Sequence, residues 1–518
     1  MDVAAHDWVA YHAAHRPNAP ALRRAEDGRT TTWAELDDRV GRAAGALRAL
    51  GVETGDRIAL ITENDPRVFE IQFAAMRLGA LFVPLNWRLT VHELAEICLD
   101  ADPAVLVHDE VWAETAIAVA EKAEVPRRLT WTTASTDGTD GTDGEYEAAL
   151  STATPVAPRT GATHGDPTHI LYTSGTTGRP KGALCTHGTL VWQALNTAHT
   201  TGYSAPGCHH LNPMPLFHAG GLNVMANPIL YFGGTVTTMR RFDPVAVLAA
   251  LAGTGVSGVP AVTHFAAIPL MYQAIGVQPG FADADLSHLR HLIVAGAIGT
   301  PELFQAWSAR GLPLQPQYGG TEMGPMAFAL DHEGEHQDKA EAGSAGQGAL
   351  HTEIRLVDPA GNDVAAGEVG EIWLRGPSVT VGYWCKPRAD FFTDDWFRTG
   401  DAARRDADGY YYLAGRTKEM YKSGGENVYP AEVENVLSLH PAVADLAVVG
   451  IPDQQWGEVG MVVVVAVAGA EPTLEDLIAF AGDKLARFKL PKRLAVVPDL
   501  PRNVTGKVNR DALREQYA

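Results

Sequence analysis

The sequence predicts an α/β protein with a β-rich stretch and a small α+β unit behind it, and three observations carry that reading. Over the first 130 of its 518 residues, amphipathic helical segments alternate with short apolar strands, the signature of a parallel sheet covered by helices. Between about 340 and 415 strand patterns dominate, separated by turn pairs such as Pro359-Ala-Gly and Asp408-Gly, as expected of a β subdomain. The last hundred residues read as a helix, two strands, a helix and a tail strand, enough for a unit with its own core.

Taken in order, the run from Trp33 to Leu47 is amphipathic at helical spacing, and Thr32 is placed to cap it. Arg57 to Thr62 reads as a strand, Val68 to Arg77 as a second helix and Ala80 to Pro84 as a second strand. Residues 132–166 hold a Thr-Asp-Gly repeat too small and polar to pack, which predicts an exposed loop or flexible tract. Alternation then resumes past residue 300. Strands are expected at Glu353–Val357, Gly370–Arg375 and Gly409–Ala414. A helix follows at Pro430–His440, strands at 443–450 and 459–468, a helix at 473–486 and a strand at 493–498. No internal repeat of 20–50 residues is visible.

Composition narrows the function. Hydrophobic residues make up 46% and charged residues 20%, with 52 glycines and 32 prolines, which excludes low-complexity and collagen-like chains. The net charge of −21 repels a nucleic-acid backbone or an anionic bilayer, yet a local nest of backbone N–H groups and a cation can still hold a nucleotide. The cysteines at 98, 185, 208 and 385 form no C-x-x-C pair, which argues against zinc and a disulfide framework. The Met-Asp-Val-Ala-Ala-His start lacks the charged and apolar regions of a signal peptide. The longest apolar run, Val459 to Ala470, is too short for a membrane helix and reads as a buried strand. A cytoplasmic protein with no integral membrane segment is expected.

The segment with the most chemistry is Ile170-Leu-Tyr-Thr-Ser-Gly-Thr-Thr-Gly-Arg-Pro-Lys-Gly182. An apolar strand runs into the hydroxyls of Thr173, Ser174, Thr176 and Thr177, into Gly175 and Gly178, and on to the Lys181 ammonium. Glycines let backbone N–H groups approach a phosphate, and hydroxyls and a lysine complete a polyphosphate cradle. Its spacing is not that of a Walker A loop.

This string resembles the signature loop of the adenylate-forming superfamily, which comprises acyl-CoA synthetases, peptide-synthetase adenylation domains and luciferases. Further segments match in the family's order: Pro215-Leu-Phe-His-Ala-Gly-Gly221, Ala295-Gly-Ala-Ile298, Gln317-Tyr-Gly-Gly-Thr-Glu322, Arg398-Thr-Gly-Asp401, Gly415-Arg-Thr-Lys-Glu419, Ser423-Gly-Gly-Glu-Asn427 and Pro501-Arg-Asn-Val-Thr-Gly-Lys507. The resemblance implies an N-terminal domain (1–416) of two α/β sheets plus a β subdomain, and a small mobile C-terminal domain (417–518) hinged at Lys418.

It also implies roles. The 173–181 loop holds the β- and γ-phosphates of ATP, Gly296, Ala297, Gln317, Tyr318 and Gly319 flank the adenine, and Thr321 touches the α-phosphate. Glu322 binds Mg²⁺, a hard cation that takes carboxylate oxygen. Asp401 and Arg416 hold the ribose, and Lys507 reaches the carboxylate and α-phosphate oxygens. His218, Gly221, Gly320 and Met323 border the acid, while Lys422, Gly424 and Gly425 let the pantetheine arm of coenzyme A approach. Ile298 stands where many members carry proline, and Gly320 removes a side chain from the acyl tunnel. His209, His210, His288 and His291 lack metal-ligand spacing and read as structural.

Activating a carboxylate by adenylation makes it attackable by a thiol, so the expected function is an ATP-dependent carboxylate–CoA ligase. The expected substrate is a hydrophobic monocarboxylate, either a fatty acid or a hydroxycinnamate-type aryl acid. The alternative is an adenylation enzyme that loads a carrier protein. Amino-acid-activating members typically place aspartate where His218 follows Phe217, which weakens an amino-acid reading. A luciferase-like oxidase and a non-catalytic nucleotide-binding protein are less favoured, the latter because Glu322 and Lys507 are both present.

Overall fold

The computed structural model describes residues 3–132, 145–173, 180–201, 207–253, 261–297, 299–331, 336–423, 426–502 and 507–517. The chain divides into two compact units, Met1–Glu353 with Leu374–Phe397, and Ile354–Trp373 with Arg398–Ala518. The α/β class, with a large N-terminal body of sheets and a separate C-terminal unit, is as the sequence predicts.

The first unit is built on two sheets. One has six strands in the order Arg128–Trp131, Val105–Asp109, Arg57–Ile61, Leu81–Leu85, Pro167–Thr173, Lys181–Thr186. All its pairings are parallel except the last, where Pro167–Thr173 turns back antiparallel onto Lys181–Thr186. The other has nine strands, and Thr235–Thr238, His209–Asn212, His264–Ala267, His291–Val294 and Gln315–Tyr318 run parallel through its middle. Parallel strands are buried on both faces, and these read as unbroken buried runs.

The first predicted helix forms at Trp33–Ala49 with a reciprocal capping box. The Thr32 hydroxyl accepts from Glu35 N–H, and the Glu35 carboxylate accepts from Thr32 N–H at 2.7 Å. Such a cap contributes about 1 kcal/mol. Burial of Trp33, Leu36 and Val40 stabilises it further, at roughly 1.5–3 kcal/mol per large side chain. The second helix, Arg67–Leu78, is buried at every residue. Its charged side chains therefore need partners inside the protein: Glu70 pairs with Arg39, Arg67 with Asp65, and Arg77 with Asp7 and Asp37.

A local expectation is revised here. The stretch 132–166 is not loop throughout, because Glu145–Thr152 forms a helix that buries Tyr146 and Leu150, with the Tyr146 hydroxyl donating to Glu70 at 2.8 Å. The Thr-Asp-Gly repeat itself, at 133–144, lies outside the described residues. The early chain also serves both sheets: Pro20–Arg24 joins the nine-stranded one, parallel to Thr235–Thr238.

The strand Trp396–Arg405, which enters the second unit at Arg398, forms an antiparallel hairpin with Tyr411–Arg416 that sets Asp401 opposite Arg416, with a bulge at Ala402/Ala403. The other sheet of this unit runs Glu426–Val428, Tyr421–Ser423, Gly457–Ala466, Val443–Asp453, with Arg493–Val496 beside Gly457–Ala466. Val462 and Val464 pack into one cluster, and Met461 and Val463 into another. Two-sided burial explains the continuous valine run. The helix expected at 473–486 stops at Ala481 before Gly482, whose φ of 43° ends it. A final helix, Arg510–Tyr517, buries Leu513. Among the described residues, no helix is long and apolar enough to cross a membrane.

Candidate active site

The predicted residues of the first unit gather at the carboxyl ends of the parallel strands, where open α/β sheets bind ligands. Thr173 ends Pro167–Thr173 and pairs across the hairpin with Lys181. Between them, Ser174, Gly175, Thr176, Thr177 and Gly178 lie outside the described residues, as do Ile298, Gly424 and Gly425.

Gln317 and Tyr318 end the strand Gln315–Tyr318, and the Tyr318 ring stacks on Phe328, 5.0 Å between centroids. The turn beyond is built on close approach. A Cβ at Gly319 would lie 2.4 Å from the Pro325 carbonyl carbon, so only glycine fits. The turn is closed by Gln317 Nε2 donating to Pro325 O and by Ala327 N–H donating to Tyr318 O at 2.8 Å. A Cβ at Gly320 meets only the flexible Met323 side chain, at 3.3 Å, and the Glu322 carboxylate, at 3.7 Å. Thr321–Met323 is a single 3₁₀ turn with Thr321 and Met323 buried.

The structure brings Thr173 and Glu322 together from the two sheets. The Thr173 hydroxyl donates to Glu322 Oε1 at 3.0 Å, and the Tyr383 hydroxyl donates to the same oxygen at 2.8 Å. Glu322 O accepts from Thr380 N–H at 2.8 Å, which fixes its backbone. Beside it, the Lys181 ammonium stands 4.8 Å from the Phe391 ring centroid and 5.9 Å from that of Tyr383. An acid, a hydroxyl and an ammonium at one sheet edge can hold a polyphosphate and a hard cation.

His218 is exposed. Its Nδ1 accepts from Gly220 N–H at 3.0 Å, which places the ring proton on Nε2. Gly221 is buried, and a Cβ there would lie 2.3 Å from Pro215 O. Next to this turn an apolar cluster comprises Met214, Val224, Met225, Ala266 and Ile293, with Met271 and Ala295. Gly296, with a φ of 85°, and Ala297 are exposed just past His291–Val294.

In the second unit, Asp401 Oδ1 and Arg416 Nε are 3.0 Å apart. Thr399 Oγ1 accepts from Asp401 N–H at 3.0 Å. Lys418 is exposed in the turn that follows. Lys422 is exposed on Tyr421–Ser423, its N–H donating to Glu458 at 2.9 Å. Lys507 is exposed, next to the isolated bridge between Arg502 and Val508.

Sequence reading missed several residues beside these. Asn64 is buried; its Nδ2 donates to Met214 O at 2.8 Å and Met239 O at 3.0 Å, and its Oδ1 accepts from Leu216 N–H at 2.9 Å. It thereby fixes the approach to Phe217 and His218. Arg88 and Arg241 flank the Trp87 ring at 4.9 and 5.4 Å, and Trp87 meets Phe217 edge-on. An asparagine after a strand or a Trp-Arg pair carries no local signal of this kind. His209, His210 and His291, read as structural, are indeed buried at strand starts, and burial lowers the His210 pKa to about 3.

The chain resembles known proteins over most of its length. Residues 9–384 match the AMP-binding enzyme family and residues 432–507 its C-terminal domain. A feruloyl-CoA synthase of an Amycolatopsis species is 39% identical over 98% of both chains. An indoleacetate–CoA ligase of Aromatoleum aromaticum is 38% identical over 99% of this chain and 98% of its own. The crystal structure of ATP-bound MatB from Rhodopseudomonas palustris superposes with a TM-score of 0.88 at 31% identity, covering 100% of this chain and 99% of that one.

Proposed function

The chain belongs to the AMP-binding enzyme family and is an ATP-dependent acid–CoA ligase, and we propose that its acid is a hydrophobic monocarboxylate of the aryl type. The observation that carries the nucleotide half of this reading is the Thr173–Glu322–Tyr383 hydrogen-bond set beside Lys181. The aryl acid is favoured by the apolar cluster around Met225 and Ala266, and by two relatives near 39% identity whose names carry aryl acids. Burying a second carboxylate among those side chains would cost several kcal/mol, so dicarboxylates should be poor substrates.

In the first half-reaction a carboxylate oxygen attacks the α-phosphorus of ATP, the bond to the β-phosphate oxygen breaks, and pyrophosphate leaves. The barrier lies in charge on phosphoryl oxygens, which fixed cations and donors lower. The 173–181 loop takes the β- and γ-phosphates, with the Lys181 ammonium as point charge. Thr321 touches the α-phosphate, Tyr318 lies along the adenine, and Asp401 with Arg416 holds the ribose. Lys507 neutralises charge between the carboxylate and the α-phosphate.

Glu322 fits Mg²⁺. Its Oε1 takes two hydroxyl donors, and among the described residues its Oε2 accepts no hydrogen bond. One carboxylate together with substrate phosphates is how proteins usually hold this ion. The bound ion would supply positive charge to the phosphate oxygens.

In the second half-reaction the coenzyme A thiol attacks the acyl carbon and AMP leaves. Arg88 and Arg241 about Trp87 suit the phosphates and base of coenzyme A, and Lys422, Gly424 and Gly425 suit its pantetheine arm. Lys418 is the hinge between 1–416 and 417–518 that serves the two steps in turn. The four free cysteines fit a reducing cytoplasm.

The test is product analysis across hydroxycinnamates, arylacetates, fatty acids, dicarboxylates and amino acids, each with and without coenzyme A. Pyrophosphate and AMP with an aryl thioester are expected. Highest kcat/KM on a dicarboxylate or an amino acid would sink the substrate reading, and acyl transfer only to a carrier protein would favour the alternative acceptor.

A further inference from the structure

Tyr383 belongs to none of the segments that the family resemblance singles out, yet it touches both charged ends of the nucleotide site. It sits in a strap, residues 378–391, laid across the hairpin Pro167–Thr173/Lys181–Thr186. Leu184 N–H donates to Gly382 O at 3.0 Å, and Trp384 N–H to Gly182 O at 2.7 Å. The Thr380 hydroxyl donates to Leu184 O at 2.7 Å, and Thr380 N–H donates to Glu322 O at 2.8 Å. Trp384 Nε1 donates to Asp100 O at 3.0 Å, which anchors the strap to the helix Val91–Ala101.

From this frame the Tyr383 hydroxyl reaches Glu322 Oε1 at 2.8 Å. Its ring packs on Phe391 at 4.3 Å, and the same two rings face the Lys181 ammonium. Thr173 donates to Oε1 from the other side at 3.0 Å. Two donors on one carboxylate oxygen fix the rotation of the Glu322 side chain, which otherwise turns about three bonds. A carboxylate held by donors of fixed position is preorganised, and such second contacts commonly govern how well a ligand residue binds a cation.

We infer that Tyr383 is a positioning residue, whose hydroxyl, with that of Thr173, holds Glu322 Oε1 so that Oε2 is presented to the cation of the ATP complex. The inference rests on the proposed role of Glu322 and adds the residue that orients it. The tyrosine ring is needed for packing, whereas the hydroxyl alone is needed for this task.

The experiment compares wild type, Tyr383→Phe and Thr173→Val by two readouts. One is acid-dependent ATP–pyrophosphate exchange. The other is retention of Mn²⁺ with a non-hydrolysable α,β-methylene ATP analogue, followed by electron paramagnetic resonance, which needs no turnover. Tyr383→Phe keeps the ring and is expected to leave Tm and the acid KM unchanged. It should weaken Mn²⁺ retention and lower exchange kcat by about tenfold, the worth of one hydrogen bond to a charged group. Thr173→Val removes the other donor to the same oxygen and, because Thr173 also belongs to the phosphate loop, should lose at least as much in both readouts. Wild-type Mn²⁺ retention in Tyr383→Phe overturns the inference, as does a loss that appears only in Tm or in the acid KM. A wild-type enzyme that exchanges pyrophosphate with no acid in the panel would overturn the proposed function instead.

Discussion

The two units hold their candidate residues in different ways. In the first, Thr173 and Lys181 lie at facing strand ends, and Glu322 in its 3₁₀ turn accepts from the Thr173 and Tyr383 hydroxyls at 3.0 and 2.8 Å. In the second, Asp401 and Arg416 face each other across a hairpin, while the side chains of Lys418, Lys422 and Lys507 are exposed. A site that must receive the same phosphates at each turnover benefits from preorganisation. Side chains that serve one half-reaction and then withdraw are better carried on long stems at a surface. On the proposed hinge at Lys418, Lys422 and Lys507 belong to the part that changes place between the half-reactions, whereas Asp401 and Arg416 precede it.

That contrast is sharpest at Lys507. Lys507→Ala should lower acyl-adenylate formation by about 10²–10³, the usual cost of one preorganised charge, with no change in Tm because the side chain is exposed. Next comes Asp401→Asn, which should raise the ATP KM about tenfold through loss of a charged hydrogen bond to the ribose, while the acid KM stays put. An acid KM that rises in step would place Asp401 elsewhere in the mechanism.

Within the first unit, neighbouring glycines should separate structure from selectivity. Gly319→Ala forces a Cβ against the Pro325 backbone and should cost ~1–3 kcal/mol of stability, read as a lower Tm. Gly320→Ala meets only the Met323 and Glu322 side chains and should fold normally. Gly320→Leu should exclude bulky aryl acids while sparing short ones. Equal losses for all acid sizes would show that the damage is to the nucleotide site.

The smallest effect near neutral pH is a difference in acid stability between the units. Burial holds the pKa of His169 and His210 near 3 and that of His187 near 4, and lowers that of His264 well below its ordinary value. All four belong to the first unit. Each stays neutral in the folded chain but binds a proton once unfolded below about pH 6.5. Stability is therefore intact above pH 6.5 and falls as the pH drops toward 3–4. The loss at pH 6 is less than about 1 kcal/mol per histidine. Acid titration followed by hydrogen exchange should open the first unit before the second, and the reverse order would count against this account.

Sequence carried much of this, for identifiable reasons. The Thr32 cap, the valine run at 459–466 and the strand ending at Thr173 are local patterns, and local patterns survive folding intact. Non-local pairings left no trace. Nothing near Pro20 says that its strand joins the nine-stranded sheet. Nothing near Tyr383 says that its hydroxyl meets Glu322, and the three hydrogen bonds of Asn64 close over sequence gaps of 150 residues or more. The 145–152 helix was hidden behind the polar repeat, whose composition dominated the reading of the whole stretch.

The most direct measurement of the division of labour is the second half-reaction alone. Lys507→Ala, supplied with preformed acyl adenylate and coenzyme A, should form the thioester at a rate close to wild type while remaining crippled in making the adenylate from ATP and acid. If thioester formation falls as far as adenylation does, Lys507 is not specific to the first step, and the assignment of fixed and changing roles to the two sides of Lys418 is wrong.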